Sequence, residues 1–420
     1  MKRINNLFES IISIENLKLA DINARKHKHK SRGVIEHDKN KDENIIQLHD
    51  DLKNHEYKTS KYKIFKIYEP KERDIYELPY YPDRIVHHAI MNILEPIWIN
   101  IFTKDTYSCI KGRGIHSAVK RLKFELKNNK EETKYCLKID VRKFYPNINH
   151  DVLKQIIRRK IKDNELLELL DEIIDSTSGV PIGNYLSQYF ANLYLAYFDH
   201  WIKEDKEIKY YYRYADDMIF LSSNKEDLHI LLDEISNYLL INLKLNLKKN
   251  YQIFPVDSRS IDFLGYRFYH THTLLRKSIK KNFIKTIIKN KKNVKKSYAS
   301  YYGWTTHCNS KHLLKKINNM KKFSDLNINV VPDSFIGEKI KIEKILGSEF
   351  ILLDYKIIDS KFKKDDKPKK LLTLQIEYNN ENRVIFSGAS ILIKTAEQIN
   401  KDDLPISCTI DKNYRYYVFK

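Results

Sequence analysis

The chain has 420 residues, enough for two to four structural units at roughly 100–200 residues each. Hydrophobic residues make up 42%, which excludes an intrinsically disordered chain. The balance of 76 basic against 55 acidic residues, +21 formally, points to a polyanionic partner; a lysine-rich composition overall is the plainer explanation. Four dispersed cysteines (Cys109, Cys136, Cys308, Cys408) form no CxxC pair, so no zinc site or disulfide framework is expected, and a reducing, cytoplasmic setting fits. Met1 to Ala20 has no signal-peptide apolar core, and no run of 18 apolar residues announces a membrane span.

In chain order, Leu7, Ile11, Ile14, Leu17 and Ile22 recur at helical spacing and predict an amphipathic helix over 5–27. A polar Lys/His-rich stretch, 27–40, is expected to be exposed. Residues 61–78 alternate apolar and charged positions, as two strands of a hairpin around Glu69-Pro70 would. A helix is predicted from Pro82 to Asn100 with Asp83 in its first turn. The run YCLKIDV, 135–141, reads as a buried strand, followed by one or two helices over 151–175. Gly179 to Gly183 breaks the pattern before a helix at 184–203. Residues 208–223 form two β-rich arms around a polar tip, 226–243 are helical by period, and 251–254 and 261–269 return to strand composition. Residues 278–322 are lysine-rich and mostly helical. Beyond Pro332 come KIKIEKIL, FILLDYKII, LLTLQIEY and YRYYVF, separated by turns at Asn379-Asn380 and at 363–366, which predict a small separate β-rich module.

Two centres carry chemistry. Tyr214-Ala215-Asp216-Asp217 places adjacent carboxylates at a hairpin tip, where they repel unless a hard cation neutralises them; a plain β-turn explains the same residues. Asp140 ends a buried strand, as a metal ligand or as a helix cap. If the two strands are neighbours, the acids form the constellation that two-metal phosphoryl transfer requires.

The Tyr-Ala-Asp-Asp box resembles the catalytic box of reverse transcriptases, and the flanking blocks follow in that family's order. They are KERDIYELPYYPDRIVHHAIMNILEPIW (71–98), DTYSCIKGRGIHSAVKRL (105–122), KIDVRKFYPNI (138–148), GVPIGNYLSQYFANLYL (179–195), LNLKKN (245–250), FLGYRF (263–268) and SYASYYGWTTHCNSKHLLKK (297–316). The resemblance implies an α+β right-hand polymerase: an N-terminal helical extension (1–60), fingers and palm (61–272), a helical thumb (273–326) and a β-rich module (333–420). It implies Mg²⁺ ions held by Asp140, Asp216 and Asp217 with Val141 beside them. Around the incoming dNTP it places Lys71, Arg73, Tyr145 (a steric gate against ribose, or a packed ring), Ile182, Gly183 and Lys249, next to Lys248. Against template and primer it places Gln188, Tyr214, Leu264 and Gly265; Arg84 sits in a family-typical position. Implied partners are a template RNA, a DNA or RNA primer and dNTPs.

Most reverse transcriptases carry Gln at the Ile182 place and Pro at the Gln188 place. The IGxxxSQ pattern here is similar to diversity-generating retroelement enzymes, which implies adenine-biased errors and a small basic accessory protein. The alternative is another bacterial reverse transcriptase, from antiphage defence, a CRISPR locus or a group II intron. Retron NAxxH and VTG signatures are absent, and no Cys/His-rich nuclease module follows the thumb. An inert nucleic-acid scaffold is disfavoured by the intact acids. In the tail, Tyr416, Tyr417 and Phe419 could stack on single-stranded bases or fill a small core.

Overall fold

The computed structural model describes residues 3–68, 72–289, 294–318, 335–359 and 370–420. The chain divides into two compact units, Met1–Asn319 and Met320–Lys420. Among the described residues no helix is long and apolar enough to cross a membrane.

The first unit is organised by a four-stranded antiparallel sheet, in spatial order Tyr210–Tyr214, Asp217–Ser222, Tyr135–Asp140, Gln252–Pro255. Its strands read as nearly unbroken apolar runs because both faces are buried. Leu137, Ile139, Tyr211, Met218 and Phe220 point into the larger core with the helices Ile85–Ile99, Tyr185–Tyr194 and Lys225–Leu243. Their alternates Cys136, Tyr210, Tyr212, Ile219 and Leu221 point into a second core. That second core is closed by a three-stranded sheet (Ile261–Phe263, Tyr266–Phe268, Thr273–Leu275) and the lysine-rich helices Lys277–Lys289, Val294–Thr305 and Lys311–Asn318.

The expected single helix at 5–27 is two, Phe8–Ile12 and Ile14–Ala24, because Ser13 leaves the helical conformation and its hydroxyl accepts the Asn16 N–H at 3.3 Å. Ile22, expected on the apolar face, is exposed. The stretch expected to be exposed at 27–40 contains a short helix, Arg32–His37, that buries Val34 and His37. Asp21 ties this region down: it accepts from Arg25 at 2.7 Å and from the Tyr80 hydroxyl at 2.5 Å. The hairpin at 61–78 consists of Lys63–Ile67 paired with Arg73–Glu77; its turn, with Glu69, Pro70 and the proposed substrate residue Lys71, lies outside the described residues.

The second unit holds a five-stranded sheet and a two-stranded hairpin, Ile410–Asn413 with Tyr416–Phe419. Asn379 and Asn380 both have positive φ (54° and 59°), the conformation of a tight hairpin turn between Lys370–Tyr378 and Glu381–Ser387. The predicted strand KIKIEKIL is instead a two-residue strand, Glu338–Lys339, and a 3₁₀ turn, Ile342–Lys344. A helix, Ser390–Ala396, was not visible in the strand-like patterning. The turn expected at 363–366 lies outside the described residues.

Candidate active site

The two acid-bearing strands are direct neighbours. Asp140 stands opposite Asp217 in the antiparallel register, and Tyr214 pairs with Asp217 across the hairpin. The loop is therefore Ala215-Asp216, with Ala215 at φ 54°. A two-residue hairpin loop needs positive φ at a central position, and a non-glycine residue there is strained in the way functional turns are. By strand alternation Asp140 and Asp217 share the sheet face of Lys138, Cys136 and Ile219, toward the second core.

The acids crowd one another. Burial, followed by the hydrogen bond and charge of Asp140, pushes Asp216 up to about 7. Burial also raises Asp217, against the opposing charge of Lys138, whose Nζ lies 3.5 Å from Asp217 Oδ1. Asp140 Oδ2 accepts from Lys248 Nζ at 2.6 Å, and the Asp140 carbonyl accepts the Lys248 N–H at 2.9 Å. The second oxygen of Asp140 and Oδ1 of Asp217 are buried without a hydrogen-bond partner. Orphaned carboxylate oxygens in one cleft, hard donors all, fit a divalent cation such as Mg²⁺. Among the described residues no three His, Cys, Asp or Glu side chains form a ready metal cluster. The fit thus rests on the two carboxylate oxygens that lack a hydrogen-bond partner. Val141 is fully buried and bridges to Leu247, which pins the strand's end beside the acids.

The strand ends are held from behind. The Arg213 guanidinium, 0% exposed, donates to Asp199 Oδ1 through Nε at 2.7 Å and to Oδ2 through Nη2 at 2.5 Å. Its Nη1 donates to the Ala215 carbonyl at 3.1 Å, so the loop that presents Asp216 hangs on a buried charge. The Asp199 carboxylate also accepts the hydroxyls of Tyr211 and Thr106, each at 2.7 Å. Sequence reading missed Arg213 and Asp199; one charge inside a buried aromatic strand was the available signal.

Tyr145 is partly buried on the first core, and burial, then Cys109 and Asp216, pushes its hydroxyl upward. Its carbonyl accepts the Val180 N–H at 2.9 Å. The Ile182 carbonyl accepts the Tyr76 N–H at 2.8 Å, so residues 179–183 bridge Tyr145 and the strand Arg73–Glu77. Gly183 has φ 126°, and a Cβ there would stand 2.8 Å from the Tyr76 carbonyl oxygen, which only glycine avoids. Arg73 is exposed on that strand, and Gln188 is exposed on the helix Tyr185–Tyr194. The lysine at the carboxylates is Lys248; Lys249, selected from the sequence, is exposed beside it. Tyr214 is half-buried, its hydroxyl raised by burial.

Leu264 and Gly265 form a hairpin tip with φ 51° and 84°, and a Cβ on Gly265 would meet Ile279 at 2.6 Å and Trp304 at 2.7 Å. This tip therefore packs on the helices that follow, and the Gly265 carbonyl accepts the Arg276 N–H at 2.8 Å. Between the tip's sheet and the acids lies a cleft of about 410 Å³ lined by Asp140, Lys138, Arg259, Asp262 and Arg276. Arg259 and Arg276 were not selected from the sequence.

Residues 70–268 match the family described as Reverse transcriptase (RNA-dependent DNA polymerase). Residues 336–420 match a Domain of unknown function (DUF8468). Similar proteins include Protein YkfC of Escherichia coli (strain K12), 24% identical over 234 residues, covering 45% of this chain and 61% of that protein. The Retron Ec73 reverse transcriptase of Escherichia coli is 28% identical over 223 residues, covering 47% and 68%. The Group II intron-encoded protein LtrA of Lactococcus lactis subsp. cremoris is 22% identical over 262 residues, covering 45% and 43%. The chain thus spans less than two thirds of the length of YkfC and of LtrA. The α+β architecture is that of a right-hand polymerase with a C-terminal β-rich region.

Proposed function

From a chain that carries a reverse transcriptase domain over residues 70–268, we propose an RNA-directed DNA polymerase that extends a primer on an RNA template. The observation that carries the reading is the register that sets Asp140 opposite Asp217, with Asp216 in the intervening loop. In this reading Asp140, Asp216 and Asp217 hold Mg²⁺, with the Val141 carbonyl adjacent. Bound ions of this kind activate a 3′-hydroxyl and neutralise charge on the leaving pyrophosphate. Lys248 holds Asp140 in place and adds positive charge where a triphosphate would lie. Tyr145 fills the space a ribose 2′-hydroxyl needs, and Arg73 and Lys71 serve the triphosphate. Gln188, Tyr214, Leu264 and Gly265 are proposed to position template and primer, the last two through the helices they pack on.

The finer proposal is the error-prone enzyme of a diversity-generating retroelement, supported by Ile182 and Gln188. The likeness to retron and group II intron proteins supports the other bacterial class, and a small basic accessory protein belongs only to the first. The polymerase reading is tested by Asp140→Asn and Asp216→Asn. Each is expected to abolish primer extension while RNA binding persists. Near-normal extension by either variant would sink the assignment.

A further inference from the structure

A cavity of about 960 Å³ opens on the C-terminal unit. Its wall is built from the 3₁₀ turn Ile342–Lys344, the end of the strand Glu381–Ser387 and the start of the strand Tyr416–Phe419. Lys341, Lys344 and Arg415 line it, all exposed and none in a salt bridge among the described residues. The acid in the wall, Glu343, is engaged: its carboxylate accepts the Tyr417 hydroxyl at 3.1 Å.

Two aromatic rings stand in the same wall with their faces unspent on the core. Phe386 is 44% exposed although its strand neighbours Ile385 and Ser387 are buried, and Tyr416 is 57% exposed. Lys339 Nζ lies 4.9 Å from the Phe386 ring centroid. Scattered exposed aromatics need no explanation, but two in one concavity with three cations outside any salt bridge among the described residues do. A flexible polyanion with accessible π-faces satisfies both halves of the lining: bases stack on the rings, and phosphates meet the cations. A duplex keeps its base faces inside its own stack, and an acidic peptide would use the cations and leave the rings idle.

We propose that this cavity binds single-stranded nucleic acid, with Phe386 and Tyr416 stacking bases and Lys341, Lys344 and Arg415 neutralising phosphates. The proposal concerns the second unit alone and does not depend on the polymerase reading.

The test uses the full chain and a short oligouridylate carrying 5-iodouridine, photocrosslinked and mapped by mass spectrometry. Crosslinks are expected at Phe386 or Tyr416. Phe386→Ala and Tyr416→Ala should each raise the half-saturating RNA concentration for the remaining tail crosslink about tenfold, the size of one lost stacking contact. Replacing Lys341, Lys344 and Arg415 together by Gln should lower the salt slope of that crosslink by about 2, since each single-strand phosphate contributes about 0.7. Arg415→Gln alone, at an exposed position, serves as the milder variant and should lower the slope by about 0.7. Crosslinks confined to the first unit would overturn the proposal. So would a tail crosslink whose half-saturating RNA concentration is unchanged in the aromatic variants, competition by duplex equal to that by single strand, or displacement by polyglutamate at equal charge concentration.

Discussion

Asp199→Ala would strand the Arg213 guanidinium in a site with no solvent access. Its remaining partners are the Ala215 carbonyl at 3.1 Å, Asn192 Oδ1 at 3.3 Å and Thr106 Oγ1 at 3.4 Å, none of them charged. Breaking one side of a buried ion pair costs about 3–5 kcal/mol. The hydroxyls of Tyr211 and Thr106 lose their acceptor as well, at about 1–3 kcal/mol each where no other partner is found. Against a typical stability of about 5–15 kcal/mol, the single variant should sit at the edge of folding. The double variant Asp199→Leu/Arg213→Met removes the stranded charge but not the stranded hydroxyls. It should be more stable than Asp199→Ala by about 2–3 kcal/mol. Urea denaturation of Asp199→Leu, Arg213→Met and the double closes the thermodynamic cycle. Primer extension is the second readout, and there the double should stay impaired because nothing then holds the Ala215 carbonyl. Losses that simply add, with a coupling below about 0.5 kcal/mol, would refute the reasoning.

Tyr145→Ala should admit ribonucleotides, read as dNTP against rNTP competition on one primer–template; unchanged discrimination would return Tyr145 to packing alone. His87 is fully buried, and burial, then the Arg84 charge, lowers it to about 4 from an ordinary 6.5. The neutral ring is the folded form, so its contribution is complete above about 6.5 and is lost as pH falls toward 4, up to about 3 kcal/mol. His88 shifts the same way, so His87→Leu should about halve these two rings' share of the stability slope between pH 4 and 6.5, measured by urea midpoints; an unchanged slope would count against it. Ile182→Gln should reduce misincorporation mainly opposite template adenine, counted per base on one RNA. An even wild-type error spectrum with the accessory protein present would remove the diversity-generating reading.

The carboxylate centre was legible because its strands are buried on both faces, which makes apolar runs conspicuous, and because acids ending such runs stand out. The pairing of Asp140 with Asp217 needed only that the two runs be neighbours. What supports them was not legible. Asp199 and Arg213 meet across 14 residues and two elements, and helical period assigns Asp199 no partner. Lys248 and Lys249 are equivalent in sequence; strand geometry alone turns one to Asp140. In the tail, Ile342 and Ile345 are both buried, a spacing of three that suits a helical turn, yet the intervening charges mimic strand alternation. Ser390–Ala396 escaped notice because a seven-residue helix offers barely two turns of period.

The segment 179–183 has a consequence for how this chain can change. Position 182 is anchored through its carbonyl, and its side chain is only half-buried. A backbone bond is indifferent to the residue that carries it. Exchange at 182 therefore leaves the junction between Tyr145 and Tyr76 intact, whereas Gly183 next to it admits no replacement. The scaffold separates an adjustable letter from a fixed one, and side-chain chemistry can change at the first without the fold being renegotiated.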